Sequence, residues 1–336
     1  MYADFYGFRE MPFNITPDPR FLYLNDCYQE ALAALAYGIE ARKGFISLIG
    51  EAGTGKTTML RRLLDTLDPR VKTVLLLNPT VTFDEILEHI LTELGIPTDG
   101  GGKLVLLRRL NEFLLEHTSA GGNVVLLIDE AQDLKTTAIE ELRLLSNLET
   151  AREKILQIVL AGQPELDDIL RNPALRQLRQ RIALHVRVRP LSGSEVSAYI
   201  RTRLQYAGAR DLDLFTPAAL ERVAAFSRGI PRLVNVLCDA ALLTGFVGGT
   251  RPLTAEIVES AWSDYASDEP FTDAPAAPAI PPPATDHSPP PPPEPDAPPA
   301  PVAAAAPVAP PAPGVVAAAP VAPPPHASRP PAPSRP

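Results

Sequence analysis

Residues 50–57 have a glycine-rich spacing that suits the binding of a phosphate group. Their sequence, GEAGTGKT, fits the pattern G-x-x-x-x-G-K-[ST] and ends in Lys56 and Thr57. Glycines permit the tight turn that directs consecutive backbone N–H groups toward an anion. At this spacing the lysine reaches the β- and γ-phosphates of a nucleotide, and the threonine hydroxyl can contact Mg²⁺. We therefore predict a phosphate-binding loop for ATP and its Mg²⁺.

A pair of carboxylates follows an apolar run later in the chain. Residues 124–128 are continuously apolar, as in a central parallel strand that is covered on both faces, and Asp129 and Glu130 come directly after them. At the C-terminal edge of a sheet, Asp129 can hold the hydration shell of Mg²⁺ while Glu130 polarises a water molecule toward the γ-phosphate. The pair therefore predicts hydrolysis. The predicted nucleotide contacts are Gly50, Glu51, Ala52, Gly53, Thr54, Gly55, Lys56, Thr57, Thr58 and Asp129, and Thr57 and Asp129 hold the metal largely through water.

The elements that must position these residues alternate between strands and helices. Apolar runs at 45–49, 71–77, 124–128, 155–161 and 183–189 predict five strands, and the segments between them have helical periodicity. This alternation is typical of a doubly wound, parallel α/β domain. Since a strand and a helix intervene between 45–49 and 124–128, we expect these two strands to lie side by side, with the ligand in the crevice at their ends.

Helical segments replace the strands after Pro190. Four are predicted, at 192–207, 216–227, 231–247 and 254–266. We expect an α/β domain at 1–190 and a small helical lid at 191–267. The sequence GIPRLVN begins the third helix and puts Arg232 in its first turn, from which the side chain could reach the γ-phosphate; a solvated arginine is the alternative.

The remaining segment, 268–336, differs in composition from the rest. Of the 39 prolines, 27 lie in the last 71 residues. Each proline removes a backbone donor and fixes φ, so we predict a disordered Pro/Ala-rich tail. Its alternatives are an inert, solubilising extension, which we favour, and a polyproline II ligand for a partner.

The charge of the chain argues against bulk attraction to nucleic acid. Its formal net charge is −9, of which residues 1–265 carry −5. Eight arginines between 171 and 203, with only Glu195 among them, form the one basic stretch. Two cysteines far apart in sequence suit a reducing compartment. With neither a signal peptide nor a transmembrane segment in sight, we expect a cytoplasmic protein that a partner could recruit to the inner membrane.

With these motifs in view, residues 1–265 resemble the AAA+ ATPases, and among them the ExeA/GspA-type ATPases of general secretion and related pilus or exopolysaccharide export. The resemblance depends on the opening MYADFYGFREMPFNITPDPRFLYL and on GEAGTGKTT, LLIDEAQDL, EELRLLSNLET, IVLAGQPEL, LRQRIALHVRVRPLS and GIPRLVN. Better-known members continue through a membrane helix into a periplasmic peptidoglycan-binding domain. Here a Pro/Ala-rich tail follows, so the resemblance does not extend to peptidoglycan binding.

The resemblance implies roles for single residues. Gln163 falls where sensor 1 is expected, although a glutamine at a strand end could merely satisfy backbone groups. Arg181 resembles the arginine finger, with Arg176 and Arg179 as neighbouring alternatives. A finger supplied by the next subunit makes catalysis depend on assembly, so a homo-oligomer on ATP binding is implied. The implied set is Lys56 and Thr57 for Walker A, Asp129 and Glu130 for Walker B, Gln163 for sensor 1, Arg181 for the finger and Arg232 for sensor 2.

Three functions compete on this basis. The first is an ATPase that passes its nucleotide state to an envelope or secretion-system protein. The second is a DNA-associated AAA+ ATPase of transposition or replication-protein loading, against which the acidic charge and the lack of a recognisable DNA-binding module argue. The third is a signalling switch that hardly turns over, which the intact Asp129-Glu130 pair disfavours.

Overall fold

The computed structural model describes residues 2–14, 16, 18–77, 79–99, 101–145, 147–150 and 153–268. All of them belong to one compact unit. The tail predicted for 268–336 lies outside the described residues except for Asp268, so that prediction stays untested.

A five-stranded sheet forms the centre of the unit. Its strands are β1 (Phe45–Gly50), β2 (Val71–Leu76), β3 (Asn123–Ile128), β4 (Gln157–Gly162) and β5 (Ile182–Val188). The order across the sheet is β2-β3-β4-β1-β5, and all neighbouring strands are parallel. The predicted fold class and all five predicted strands are confirmed, with boundaries shifted by one or two residues.

The expectation that the strand before the phosphate loop adjoins the strand before Asp129 is wrong. β4 lies between them and pairs with β1 on one side and β3 on the other. The three interior strands are buried along their whole length, whereas β2 and β5 alternate between buried and exposed residues. Apolar runs therefore identify interior strands but do not tell which of them lies in the middle. The order places Gln163, which follows β4, between the two halves of the site.

Helices cover both faces of the sheet. On one face, Ile46 and Leu48 of β1 pack with residues such as Leu35 and Leu60; on the other, Phe45 packs in a second apolar cluster. The helices are α1 (Tyr2–Tyr6), α2 (Asp26–Glu40), α3 (Lys56–Thr66), α4 (Phe83–Glu93), α5 (Lys103–Ser119), α6 (Thr136–Leu145), α7 (Pro164–Leu170), α8 (Arg176–Arg179), α9 (Gly193–Tyr206), α10 (Pro217–Ser227), α11 (Pro231–Val247) and α12 (Ala255–Asp268).

The last four helices agree with the predicted helical region. Capping side chains of Ser192 and Thr216 begin α9 and α10, and prolines occupy the first position of α10 and α11. The turn before α11 packs closely on the linker after β5: the Leu191 N–H donates to Gly229 O at 2.8 Å. Gly229 has φ 74°, and a Cβ there would lie 1.9 Å from Leu191 O. Only glycine fits this contact.

Glu195 in the first turn of α9 joins three segments. Its carboxylate receives a bidentate pair of bonds from Arg189 at 2.7 and 3.0 Å, the Asn25 side-chain amide at 2.7 Å and the Ser192 N–H at 2.7 Å. These donors, Arg189 first, lower the pKa of Glu195 to about 2. The ionised carboxylate therefore connects the end of β5 to the helices on either side of it.

This contact predicts a pH-dependent stability. The pKa of Glu195 in the folded state lies below its unfolded value of about 4.3. The carboxylate therefore stabilises the fold at pH values above about 4.3, and this stabilisation is lost as the pH falls toward the pKa of the folded state. We expect Glu195→Gln to be less stable than wild type at neutral pH and the difference to shrink on acidification. Urea unfolding across a pH series measures it; a difference that stays constant with pH would contradict the assignment.

Candidate functional site

The glycine-rich loop after β1 has the geometry of an anion cradle. Gly53 and Gly55 have φ 77° and 91°, in the left-handed region that favours glycine. A Cβ on Gly53 would lie 2.7 Å from the Cβ of Arg232, so the loop also needs glycine to approach α11. Helix α3 begins at Lys56, directly after the loop. Its N-terminus therefore presents unpaired backbone N–H groups at the place where the loop turns.

Lys56 is a buried cation whose ammonium group contacts only the loop itself. Among the described residues, Nζ donates to Gly50 O at 2.9 Å and Glu51 O at 3.2 Å, and 4% of the residue is exposed. Burial lowers the pKa of Lys56, and the nearby carboxylates, Glu130 first among them, oppose this shift. A buried ammonium without a directly bonded anion is poised to receive a phosphate oxygen, so the loop fits a nucleotide.

Thr57 and Asp129 meet as the sequence predicts. Thr57 Oγ1 donates to Asp129 Oδ2 at 2.5 Å, and the other carboxylate oxygen accepts from the Glu130 N–H at 3.0 Å. Asp129 is 2% exposed, and burial raises its pKa. A hydroxyl and a buried carboxylate side by side are hard oxygen ligands of the kind that Mg²⁺ prefers. The donor set therefore fits that ion.

Glu130 is held in an unusual backbone conformation and by two amides. Its φ of 51° is in the left-handed region, which is uncommon for a residue other than glycine and is often found at functional sites. Oε2 accepts from Gln132 Nε2 at 2.8 Å and from Gln163 Nε2 at 3.3 Å. The side-chain oxygen of Gln132, Oε1, in turn accepts from the backbone N–H of Gln163 at 3.0 Å. Gln163 is thus brought to the carboxylate, and Gln132, which our sequence analysis did not assign, completes the contact.

Arg232 also reaches the site. It lies in the first turn of α11, its backbone N–H donates to Gly53 O at 3.2 Å, and its exposed side chain lines the cleft beside the loop. The structure therefore places Arg232 beside the glycine-rich loop, and its role toward the γ-phosphate stays a prediction.

Arg181 lies far from the phosphate loop of its own chain. It directly precedes β5, whose opposite end pairs Val188 with Gly50. At about 3.3 Å per residue, the two ends of β5 are roughly 20 Å apart. The guanidinium instead donates to Asn147 Oδ1 at 2.6 Å. Of the predicted catalytic residues, only Arg181 is absent from the cluster.

The basic stretch from 171 to 203 is largely paired within the fold. Four of its arginines contact carboxylates, three of which lie outside the stretch in sequence, and Arg203 is buried. The pairs are Arg171–Asp168, Arg187–Asp167, Arg189–Glu195 and Arg201–Asp213. Arg176 and Arg179 on α8 are exposed and have no side-chain partner among the described residues. Few arginines of the stretch therefore remain for an external phosphate chain.

A cleft of about 360 Å³ extends from the loop toward the N-terminal segment. Lys56, Thr57 and Glu130 line it, and so do Phe21 and Tyr23 of the N-terminal segment. Tyr28 on α2 also lines it, and its hydroxyl donates to Thr54 O. A lining with both charged and aromatic groups suits a ligand with a charged and a planar part. The sequence alone gave no signal for Tyr28.

The described residues include neither a membrane-spanning helix nor a cluster of protein ligands for a metal. No helix among them is long and apolar enough to cross a bilayer. The described part of the chain also contains no cluster of three or more His, Cys, Asp or Glu residues that could hold a metal ion by themselves.

Comparison with known proteins identifies a related family and a relative. Residues 39–170 match the family described as AAA domain. The chain is 46% identical over 254 residues to General secretion pathway protein A of Aeromonas hydrophila. The alignment covers 75% of this chain and 46% of that protein, so the chain spans less than half the length of this relative.

Solved structures with a similar fold include two archaeal proteins. An ORC2 protein of Aeropyrum pernix, solved as ADPNP-ADP complexes, has a TM-score of 0.58 at 17% identity, with 76% of this chain and 71% of that chain covered. The Cdc6p protein of Pyrobaculum aerophilum has a TM-score of 0.59 at 20% identity, with 74% and 70% covered. At these identities the similarity concerns the fold.

Proposed function

Because the chain belongs to the AAA+ ATPases, and among them to the type of general secretion pathway protein A, we propose that it binds ATP with Mg²⁺ and hydrolyses it to ADP and phosphate. The observation that carries this proposal is the convergence of a buried Lys56, the Thr57–Asp129 pair and the amide-held Glu130 at the ends of β1 and β3, on either side of β4. These are the parts that phosphoryl transfer to water requires.

Each side chain has a step in this mechanism. Backbone N–H groups of the loop and the Lys56 ammonium bind and orient the β- and γ-phosphates. Glu130 orients a water molecule toward the γ-phosphate and accepts its proton, and the Gln132 and Gln163 amides fix the carboxylate for that task. Bound Mg²⁺, held near Thr57 and Asp129, would neutralise developing negative charge. Arg232 approaches the same phosphates from α11.

We further propose that the ATPase is cytoplasmic and acts on an envelope or secretion-system partner. That partner would recruit it to the inner membrane. The relative's name supports this pathway. Helices α9–α12 would serve as the lid that reports nucleotide state, since α11 contacts the loop through the Arg232 N–H and Gly53 O. In this division residues 1–190 form the ATPase domain and 191–267 the lid.

Replacing Lys56 with Ala is expected to weaken ATP binding about 100-fold, because a buried charge-assisted contact to phosphate is lost. Burial already disfavours the charged ammonium without nucleotide, so thermal stability without nucleotide should change little. Fluorescent-nucleotide titration and the ATP-induced rise in Tm measure the two effects. Lys135→Ala, at an exposed lysine, is the matched control; unchanged ATP affinity in Lys56→Ala would remove Lys56 from its role.

The pathway is tested by capture from native cells with Glu130→Gln as bait, with and without nuclease. This variant is expected to hold ATP and so to stay bound to its partner, and Lys56→Ala is the control bait that cannot hold ATP. Envelope or secretion proteins that survive nuclease and are absent from the control support the proposal. Material lost on nuclease treatment would contradict it and point to DNA-associated action instead.

A further inference from the structure

The described part of the chain contains a buried arginine without an ion-paired carboxylate, Arg203 on α9. It is 6% exposed, and the Asp18 carboxylate in the same cleft, whose pKa is lowered mainly by Arg20, also senses its charge. Nε donates to Pro12 O at 2.6 Å, Nη2 to Asn14 O at 3.2 Å and Nη1 to the Tyr199 hydroxyl at 2.8 Å. A buried cation is costly unless its donors are satisfied. Here backbone carbonyls of the N-terminal segment satisfy it.

The same segment forms a wall of the nucleotide cleft. Asn14, Phe21 and Tyr23 line the cleft together with Gly53 of the glycine-rich loop, and Arg203 itself lines it. The guanidinium carbon of Arg203 lies 4.7 Å from the centre of the Phe21 ring, as in a cation–π contact. Arg203 therefore contacts the backbone carbonyl groups of this wall and also one of the wall's aromatic rings.

Arg203 also connects the wall to α11. The Tyr199 hydroxyl that accepts from Arg203 donates to Asn235 Oδ1 at 2.8 Å, and both residues are buried. Asn235 lies three residues after Arg232, on the same face of the helix. A continuous chain of hydrogen bonds thus runs from the N-terminal segment through α9 to the helix that contacts the phosphate loop.

The cleft leaves one direction for the base of a bound nucleotide. The loop and Lys56 fix the phosphates, and the carboxylate of Glu130 lies on the hydrolytic side. The N-terminal segment presents the apolar Leu22 and the partly exposed ring of Tyr23, against which a planar base can stack, while Phe21 is buried in contact with Arg203.

We propose that Arg203 is a positioning residue for the base end of the nucleotide: it holds Pro12 and Asn14 against α9 and packs on Phe21, so that the aromatic wall is preformed. The inference rests on the proposed function, because it assumes that the loop binds ATP. This role predicts that Arg203 affects the binding of one class of ligand and not another. The residue contributes to binding of a nucleoside triphosphate and leaves binding of a base-free polyphosphate unaffected.

The test compares the affinities of ATP and inorganic tripolyphosphate, measured by competition against a fluorescent nucleotide or by calorimetry. Arg203→Met should bind ATP roughly 10-fold more weakly, the size expected for one charge-assisted hydrogen bond, with unchanged affinity for tripolyphosphate. Arg203→Lys keeps the charge but not the fork of donors and should retain most of the defect. Arg201→Met is the matched control: it lies two residues away, is exposed and should bind both ligands normally.

The outcomes separate this inference from the proposed function. Equal weakening of ATP and tripolyphosphate, or no weakening of either, would overturn the positioning role of Arg203. Failure of the wild-type protein to bind ATP would overturn the proposed function itself. If Arg203→Met does not fold, Arg203→Lys decides: it keeps the positive charge, cannot reproduce the fork of donors to Pro12 O and Asn14 O, and should lower ATP affinity selectively. Equal effects on both ligands, or no effect on either, in Arg203→Lys would refute the inference.

Discussion

Replacing Glu130 with Gln is expected to lower the kcat of ATP hydrolysis by about 100-fold or more while ATP affinity stays within about twofold of wild type. The amide removes the base that accepts the proton of the attacking water. It keeps the shape of the side chain and one oxygen that can still accept from Gln132 and Gln163, so the surrounding contacts survive. Steady-state phosphate release and nucleotide titration separate the two quantities.

The control for this prediction is Glu165→Gln, which changes an exposed carboxylate in the first turn of α7. It should hydrolyse ATP at nearly the wild-type rate. That result would exclude a general loss of negative charge near the sheet edge as the cause of the lower kcat in Glu130→Gln. Normal turnover in Glu130→Gln would refute the assignment of Glu130 as base. A matching loss of ATP affinity would instead give it a role in binding.

Elements of the fold could be predicted because they are encoded locally. Continuous apolar runs predicted the interior strands, the interrupted runs at 71–77 and, more weakly, 183–189 predicted the edge strands, and helix starts such as the proline of GIPRLVN predicted the helices after Pro190. The phosphate loop and the Asp129-Glu130 pair were also visible, since each lies within a few residues of a strand end. Short-range geometry of this kind depends little on the rest of the chain.

Contacts between distant segments could not be predicted in the same way. The position of β4 between β1 and β3 follows from packing of strands that are equally apolar, so periodicity does not decide it. The amide of Gln132 reaches Glu130 only because that glutamate adopts a left-handed conformation. Arg203 looked like one more residue of a basic stretch, yet it is buried against the carbonyls of Pro12 and Asn14, nearly 190 residues earlier in the chain.

Replacing Arg181 with Ala is expected to lower kcat about 1,000-fold, the effect of losing an arginine that stabilises charge on the transferring phosphoryl group. Because Arg181 lies at the opposite end of β5 from its own phosphate loop, it can act only on the site of a neighbouring subunit. Such a contact joins different surfaces of two copies, which produces rings or open filaments. Arg176→Ala and Arg179→Ala, at the exposed arginines of α8, are the comparison variants and should lower kcat less.

Mixing two inactive variants decides between a role in the next subunit and a role within the chain. In a random equal mixture of Arg181→Ala and Lys56→Ala, about one quarter of all sites in a head-to-tail assembly combine an intact Lys56 with an intact Arg181 from the neighbouring subunit. ATPase activity should therefore recover to about that fraction of wild type. If Arg181 only holds Asn147 within its own fold, no subunit in the mixture has both residues, and the mixture should stay as inactive as either variant alone. That result would contradict the assignment of Arg181 as an arginine finger, and catalysis would then not require assembly.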